Sequence, residues 1–123
     1  LLLLTSPKEK AKGAASDSIM YLIKYMENNY TQKLTLDYLA EFACMNKYYL
    51  SKEFKKYTGF SPNDYLISLR INRAKQLLEG TTLPASKIAH EIGIHDINNF
   101  TNLFKKKTGL TPIQYRHCNK EII

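Results

Sequence analysis

One block of this chain is written twice. Phe54-Lys55-Lys56-Tyr57-Thr58-Gly59-Phe60-Ser61-Pro62 returns as Phe104-Lys105-Lys106-Lys107-Thr108-Gly109-Leu110-Thr111-Pro112, and Tyr65 has its counterpart in Tyr115. A separation of about fifty residues marks a supersecondary unit used more than once. Upstream, Leu39-Ala40 matches Ile88-Ala89 at a separation one residue shorter, so the second copy carries one added residue in the turn around Gly93 to His95. Any fold for this chain has to build the same local structure twice.

Each copy reads as a short helix, a tight turn and a longer helix. Thr35 can cap a helix carrying Leu36, Leu39, Ala40 and Ala43; Asn46 can cap the next, with Leu50, Phe54 and Tyr57 turned inward, and Gly59 stops it. In the second copy Ser86 is expected to cap a helix with Ile88, Ala89 and Ile92, ended by Gly93. Asp96 then caps one with Phe100, Leu103 and Phe104 inward, stopped by Gly109. The small residues Ala40 and Ala89 let two helices cross closely, as a helix-turn-helix requires.

Between the copies, Ser61-Pro62 supplies an N-cap and a first-turn proline for a long helix through Tyr65, Leu66, Leu69, Ala74, Leu77 and Leu78. Gly80 suits the left-handed position just past its end. Thr111-Pro112 opens a final short helix with Tyr115. Ahead of the copies, Ile19, Leu22, Ile23 and Met26 form a helical stripe ending at Asn29-Tyr30, whereas residues 5–16 are polar, small and aperiodic. No stretch alternates with period two, so the expected class is all-α. The expected boundaries are a linker, the remnant of an upstream domain, at 1–16 and a helical domain at 17–123. Within it lie one helix-turn-helix at about 35–57, a linker helix at about 62–79 and a second helix-turn-helix at about 86–107.

The 123 residues are 44% hydrophobic, enough for a real interior, and 18 Lys and Arg against 11 Asp and Glu leave a net charge of +7. That excess fits a polyanionic partner, because neutralising phosphates releases counterions. Cys44 and Cys118 lack metal spacing, and with no secretory signal the expectation is reduced thiols in the cytoplasm. Leu1-Leu2-Leu3-Leu4 is too short to span a bilayer, and no membrane partner is expected. His90, His95 and His117 show no metal-ligand pattern, there is no Gly-rich phosphate loop, and no nucleophile has a placeable base. The reading is therefore not an enzyme, with no catalytic residue, metal or cofactor. Arg70 and Arg73, among apolar neighbours of the linker helix, are expected to make structural ion pairs, with Asp64 or Glu41 as candidate partners, rather than the alternative of DNA contacts.

The doubled block, Leu69-Arg70-Ile71-Asn72-Arg73-Ala74-Lys75-Gln76-Leu77-Leu78, and Ile88-Ala89-His90-Glu91-Ile92-Gly93-Ile94-His95-Asp96 together resemble the DNA-binding domain of the AraC/XylS family, from about Ser18 to Arg116. The resemblance implies seven helices, double-stranded DNA as partner, regulation of bacterial transcription, usually by activation through RNA polymerase, and an upstream sensory or dimerisation domain. Ile94 stands where the family usually has an aromatic residue, and Asn102 where Arg is common. Lys52, at the matching first-copy position, keeps the charge but lacks the guanidinium fork.

On the helix after Asn46, the face opposite Leu50 and Phe54 offers Tyr48, Ser51, Lys52 and Lys55; the resemblance makes Tyr48, Ser51 and Lys52 base-facing. Lys can donate to guanine O6 or N7, and Ser pairs with several bases. The second copy offers Ile97, Asn98, Thr101 and Asn102; Asn suits adenine and Ile can touch a thymine methyl, an A·T-leaning combination. The lesser alternative for Ile97 is a staple against the core. Lys47 at the first helix tip, and Lys55, Lys56, Lys105 and Lys106 late in their helices, are assigned to phosphates. An ordinary solvated face would carry lysines too, and a protein-docking bundle or the DNA-binding appendage of an enzyme would fit such a face; the matched pair of readers favours DNA regulation. The linker helix, at 1.5 Å per residue, spans roughly 27 Å, of the order of the 34 Å between successive turns of one groove face.

Overall fold

A computed structural model describes the backbone of residues 7–122 and the side chains of residues 16–118. The described residues form α1 (Pro7–Asn29), α2 (Leu36–Phe42), α3 (Lys47–Thr58), α4 (Pro62–Gly80), α5 (Ala85–Glu91), α6 (Ile97–Thr108) and α7 (Pro112–Ile122), with no strand among them. Two compact units divide the chain: one takes residues up to 29 and 34–65, the other takes 30–33 and everything from Leu66 onward. The boundary falls inside α4, so the repeat separates into one copy per unit.

In the first unit α1 and α2 pack on α3. Ile19, Leu22 and Met26 of α1, Leu39 and Ala40 of α2 and Leu50 and Phe54 of α3 are all buried. In the second unit α6 packs with α5 and α7, around a cluster of Ile71, Ala74, Leu78, Ile88, Ala89, Ile92, Ile94, Phe100 and Phe104. The apolar positions spaced three and four apart are thus the ones that leave water, which is what makes these short helices stable.

Local punctuation repeats with the sequence. Gly59 (φ 84°) and Gly109 (φ 85°) are both left-handed and end α3 and α6, their N–H groups donating to Lys55 O and Lys105 O at 2.8 and 2.7 Å. The Thr58 hydroxyl lies 2.8 Å from Phe54 O and 3.0 Å from Phe60 O and accepts the Phe60 N–H at 3.1 Å; Thr108 repeats those three distances with Phe104 and Leu110. Tyr65 stands edge-on to Phe54 at 5.4 Å, and Tyr115 edge-on to Phe104 at 5.3 Å. Thr111 and Gln114 bond reciprocally at the start of α7, each side chain serving the other's N–H.

Several expectations need correcting. Helical backbone begins at Pro7, inside the segment expected to be irregular; proline suits a first helical position, and Lys8, Glu9, Lys10, Ala11, Lys12, Ala14 and Ala15 are strong helix formers. Residues 1–6 of that segment lie outside the described residues. Ser86 does not cap α5: the helix starts at Ala85 and Pro84 is its N-cap, with Lys87 and Ile88 N–H donating to Pro84 O. Gly80 is the last residue of α4 and has no left-handed φ. Carbonyls of the last turn are taken otherwise: Leu77 O by the Thr81 N–H and hydroxyl, and Leu78 O by the Arg116 guanidinium at 3.1 Å. Tyr57 is exposed, not inward, because α3 outruns its core by a turn beyond Phe54.

Arg70 is structural but makes no ion pair among the described residues. Its Nε donates to Tyr30 O at 2.6 Å and its Nη2 to Gln32 O at 2.8 Å, and partial burial lowers its pKa from the usual arginine value. Arg73 donates to the Gln76 side chain. The Arg70 fork, which takes two carbonyls at once, holds the 30–33 segment within the second unit.

Candidate nucleic-acid interface

The first helix-turn-helix consists of α2, the turn Ala43-Cys44-Met45 and α3. Cys44 takes the left-handed conformation (φ 55°), Cys44 N–H donates to Glu41 O and Met45 N–H to Ala40 O. In the second, Gly93 (φ 90°) donates to His90 O and Ile94 N–H to Ala89 O. These pairs match at the shorter separation, whereas the caps Asn46 and Asp96 match at the longer one. The added residue of the second copy is therefore His95, directly before the cap.

Each reader begins on a side-chain cap. Asn46 Oδ1 accepts the Tyr48 N–H at 2.8 Å; Asp96 Oδ1 accepts Asn98 N–H at 2.9 Å and Asn99 N–H at 3.5 Å. Behind the caps the inward residues are Leu50 and Phe54 in α3, and Phe100 and Phe104 in α6, all inaccessible to solvent. The positions that remain outside correspond in the two helices. Ser51 and Thr101 are half-buried, Lys52 and Asn102 exposed, and Lys55, Lys56, Lys105 and Lys106 exposed.

In α3 the tip is an aromatic and a cation. Tyr48 is 76% exposed, the most exposed of the large apolar side chains among the described residues, and Lys47 Nζ sits 5.7 Å from its ring centroid and 3.7 Å from Asp37 Oδ1. An exposed pair of this kind contributes little, so a phosphate oxygen can compete for Lys47. Asp37, in the first turn of α2, was not singled out by the sequence reading; only the folded turn brings it to Lys47. Ser51 lines a shallow cavity with Leu34, Thr35, Leu39 and Pro62, which makes it the least free of the three expected base-facing residues.

In α6 the tip carries no charge. Asn98 and Asn102 are exposed, Ile97 is 39% exposed, and Thr101 lies between them on the same face. Its cations, Lys105, Lys106 and Lys107, gather in the last turn, where they also complement the helix dipole. The structure thus brings Lys47, Tyr48, Ser51, Lys52, Lys55 and Lys56 together on α3, and Ile97, Asn98, Thr101, Asn102, Lys105 and Lys106 together on α6.

A helix-turn-helix domain family matches residues 39–117, both copies included. The chain is 35% identical over 105 residues to the bifunctional transcriptional activator/DNA repair enzyme AdaA of Bacillus subtilis, covering 85% of this chain and 50% of that protein. Among solved structures, it is similar to the C-terminal domain of the two-component response regulator yesN from Fusobacterium nucleatum (39% identity, TM-score 0.75, 79% of this chain and 95% of that one). It is also similar to a transcriptional regulator of the AraC-type DNA-binding domain-containing proteins from Chromobacterium violaceum (26% identity, TM-score 0.76, 87% and 96%). The chain belongs to the AraC-type helix-turn-helix family of DNA-binding domains. This AraC-type domain spans half or less of the length of the curated relatives it matches. Among the described residues no helix is long and apolar enough to cross a membrane.

Proposed function

We propose that this AraC-type domain is the DNA-reading output of a cytoplasmic bacterial transcription regulator, that it carries no enzymatic activity of its own, and that α3 and α6 each enter the major groove. The observation that carries this reading is the duplicated reader. A side-chain cap, a pair of buried apolar residues four apart, a glycine stop and a basic last turn recur in α3 and α6, leaving corresponding solvent-facing positions free twice. A bundle docking one acidic protein has no need of two matched faces. On α3, Tyr48, Ser51 and Lys52 face bases, while Lys47, Lys55 and Lys56 hold phosphates. On α6, Ile97, Asn98, Thr101 and Asn102 face bases, while Lys105 and Lys106 hold phosphates. Phosphate contacts fix register and give salt dependence; base-edge contacts give sequence. Activation through contact with RNA polymerase, under control of an upstream sensory or dimerisation domain, completes the reading; AdaA is itself named a transcriptional activator.

The match to AdaA, named a bifunctional transcriptional activator/DNA repair enzyme, also supports a second reading, in which the domain is the DNA-binding appendage of an enzyme. Random-site selection with the purified domain tests the first. Enrichment of one bipartite site supports it, and recovery of unselected sequence at every round rejects it.

A further inference from the structure

The added residue of the second copy puts two imidazoles together. His90 Nδ1, in the last turn of α5, lies 3.3 Å from His95 Nδ1, with ring centroids 5.1 Å apart and planes inclined at 61°. Both side chains are exposed, and the residue between the turn and the Asp96 cap is the one with no counterpart in the first unit. A direct hydrogen bond between them requires one ring to carry its proton on Nδ1 and the other to accept there. The same spacing serves a metal ion instead. Zinc–imidazole bonds of about 2.0–2.1 Å at a tetrahedral angle put two ligand nitrogens about 3.3–3.4 Å apart. Right-angled ligands, as in square-planar or octahedral sites, would stand only about 2.9 Å apart at that bond length.

We propose that His90 and His95 form a two-imidazole site for a divalent metal that accepts tetrahedral geometry, Zn²⁺ first, bound through both Nδ1 atoms. No third His, Cys, Asp or Glu joins them among the described residues, so water or an external donor fills the other positions. The Asp96 carboxylate is already engaged by the amides that open α6. Each imidazole binds the metal in its neutral form, with its proton on Nε2. The bound ion ties the last turn of α5 to the residue ahead of α6, and it stabilises the second helix-turn-helix in proportion to its occupancy.

Isothermal titration of the untagged chain with Zn²⁺ tests this, in a Cys44→Ser, Cys118→Ser background that removes the two exposed thiols. One ion per chain is expected. Either His90→Gln or His95→Gln should weaken binding by roughly tenfold or more, because each removes half of a chelate, while His117→Gln leaves it intact. Nitrogen-15 NMR of the histidine rings in the unsubstituted chain gives a second readout without any variant. Equimolar Zn²⁺ should move the Nδ1 signals of His90 and His95 together and leave His117 alone. Binding unmoved by both glutamine variants, or ring signals that do not shift, would overturn the proposal.

Discussion

Gly93 carries two requirements at once. Its φ of 90° lies in the left-handed region, and a Cβ built there would stand 2.5 Å from Thr31 O and 2.9 Å from Thr31 C and Cα. The obstacle is backbone, held in place by the Arg70 fork on either side of Thr31, so it cannot swing away as a side chain could. Gly109, in the same unit and with nearly the same φ of 85°, has nothing within 4 Å. Gly109→Ala should therefore cost only the left-handed penalty, about 1–2 kcal/mol. Gly93→Ala should add a packing strain of about 1–3 kcal/mol, for a total of roughly 2–5 kcal/mol, a large share of a typical domain's 5–15 kcal/mol. Urea unfolding followed by far-ultraviolet circular dichroism measures both variants against the parent. Equal losses for the two alanines would refute the close approach of the 30–33 segment to this turn.

Arg70→Lys keeps the charge but cannot bond Tyr30 O and Gln32 O together; a loss of about 1–2 kcal/mol in the same urea assay is expected, and no loss would show that the fork is dispensable. The Tyr65 hydroxyl has its pKa raised, first by burial and then by the nearby Glu27 charge and hydrogen bond. A raised folded value means stability that is fully present below the unfolded phenol's pKa and is lost as pH climbs past the folded one. The parent should therefore lose more urea resistance between pH 8 and 11 than Tyr65→Phe does, and parallel losses would count against it. Lys56→Ala and Lys106→Ala should weaken every DNA sequence alike and reduce the salt slope by about 1 each, as read by fluorescence anisotropy from low to moderate salt.

The sequence showed the repeat, the caps Thr35, Asn46, Asp96 and Ser61, the glycine stops Gly59 and Gly109 and the inward Phe54, Phe100 and Phe104, because each is a local choice that the fold only has to agree with. The misses follow from two causes. Some were legible in the repeat itself. Pro84 stands opposite Thr35 at the shorter separation and so marks the start of α5 ahead of Ser86. Lys107 stands opposite Tyr57, a position therefore facing water. Others needed distant partners. Arg70 reaches back to Tyr30 and Gln32, and Arg116 reaches back to Leu78 and Thr81. No local pattern announces a side chain that serves carbonyls more than thirty positions away. The His90–His95 contact stood between these cases: the added residue was visible, but not its neighbour across the turn.

In the proposed function α3 and α6 read different parts of one DNA site with different chemistry. Selected-site binding by Lys52→Ala and Asn98→Ala, scored base pair by base pair, separates the two readers. Each variant should relax preference by about 1–3 kcal/mol at a few positions in one half of the site, the half differing between the two, with guanine preference lost for Lys52 and adenine preference lost for Asn98. Relaxation in the same half by both variants, or a uniform loss of affinity with preference unchanged, would contradict the assignment of two readers.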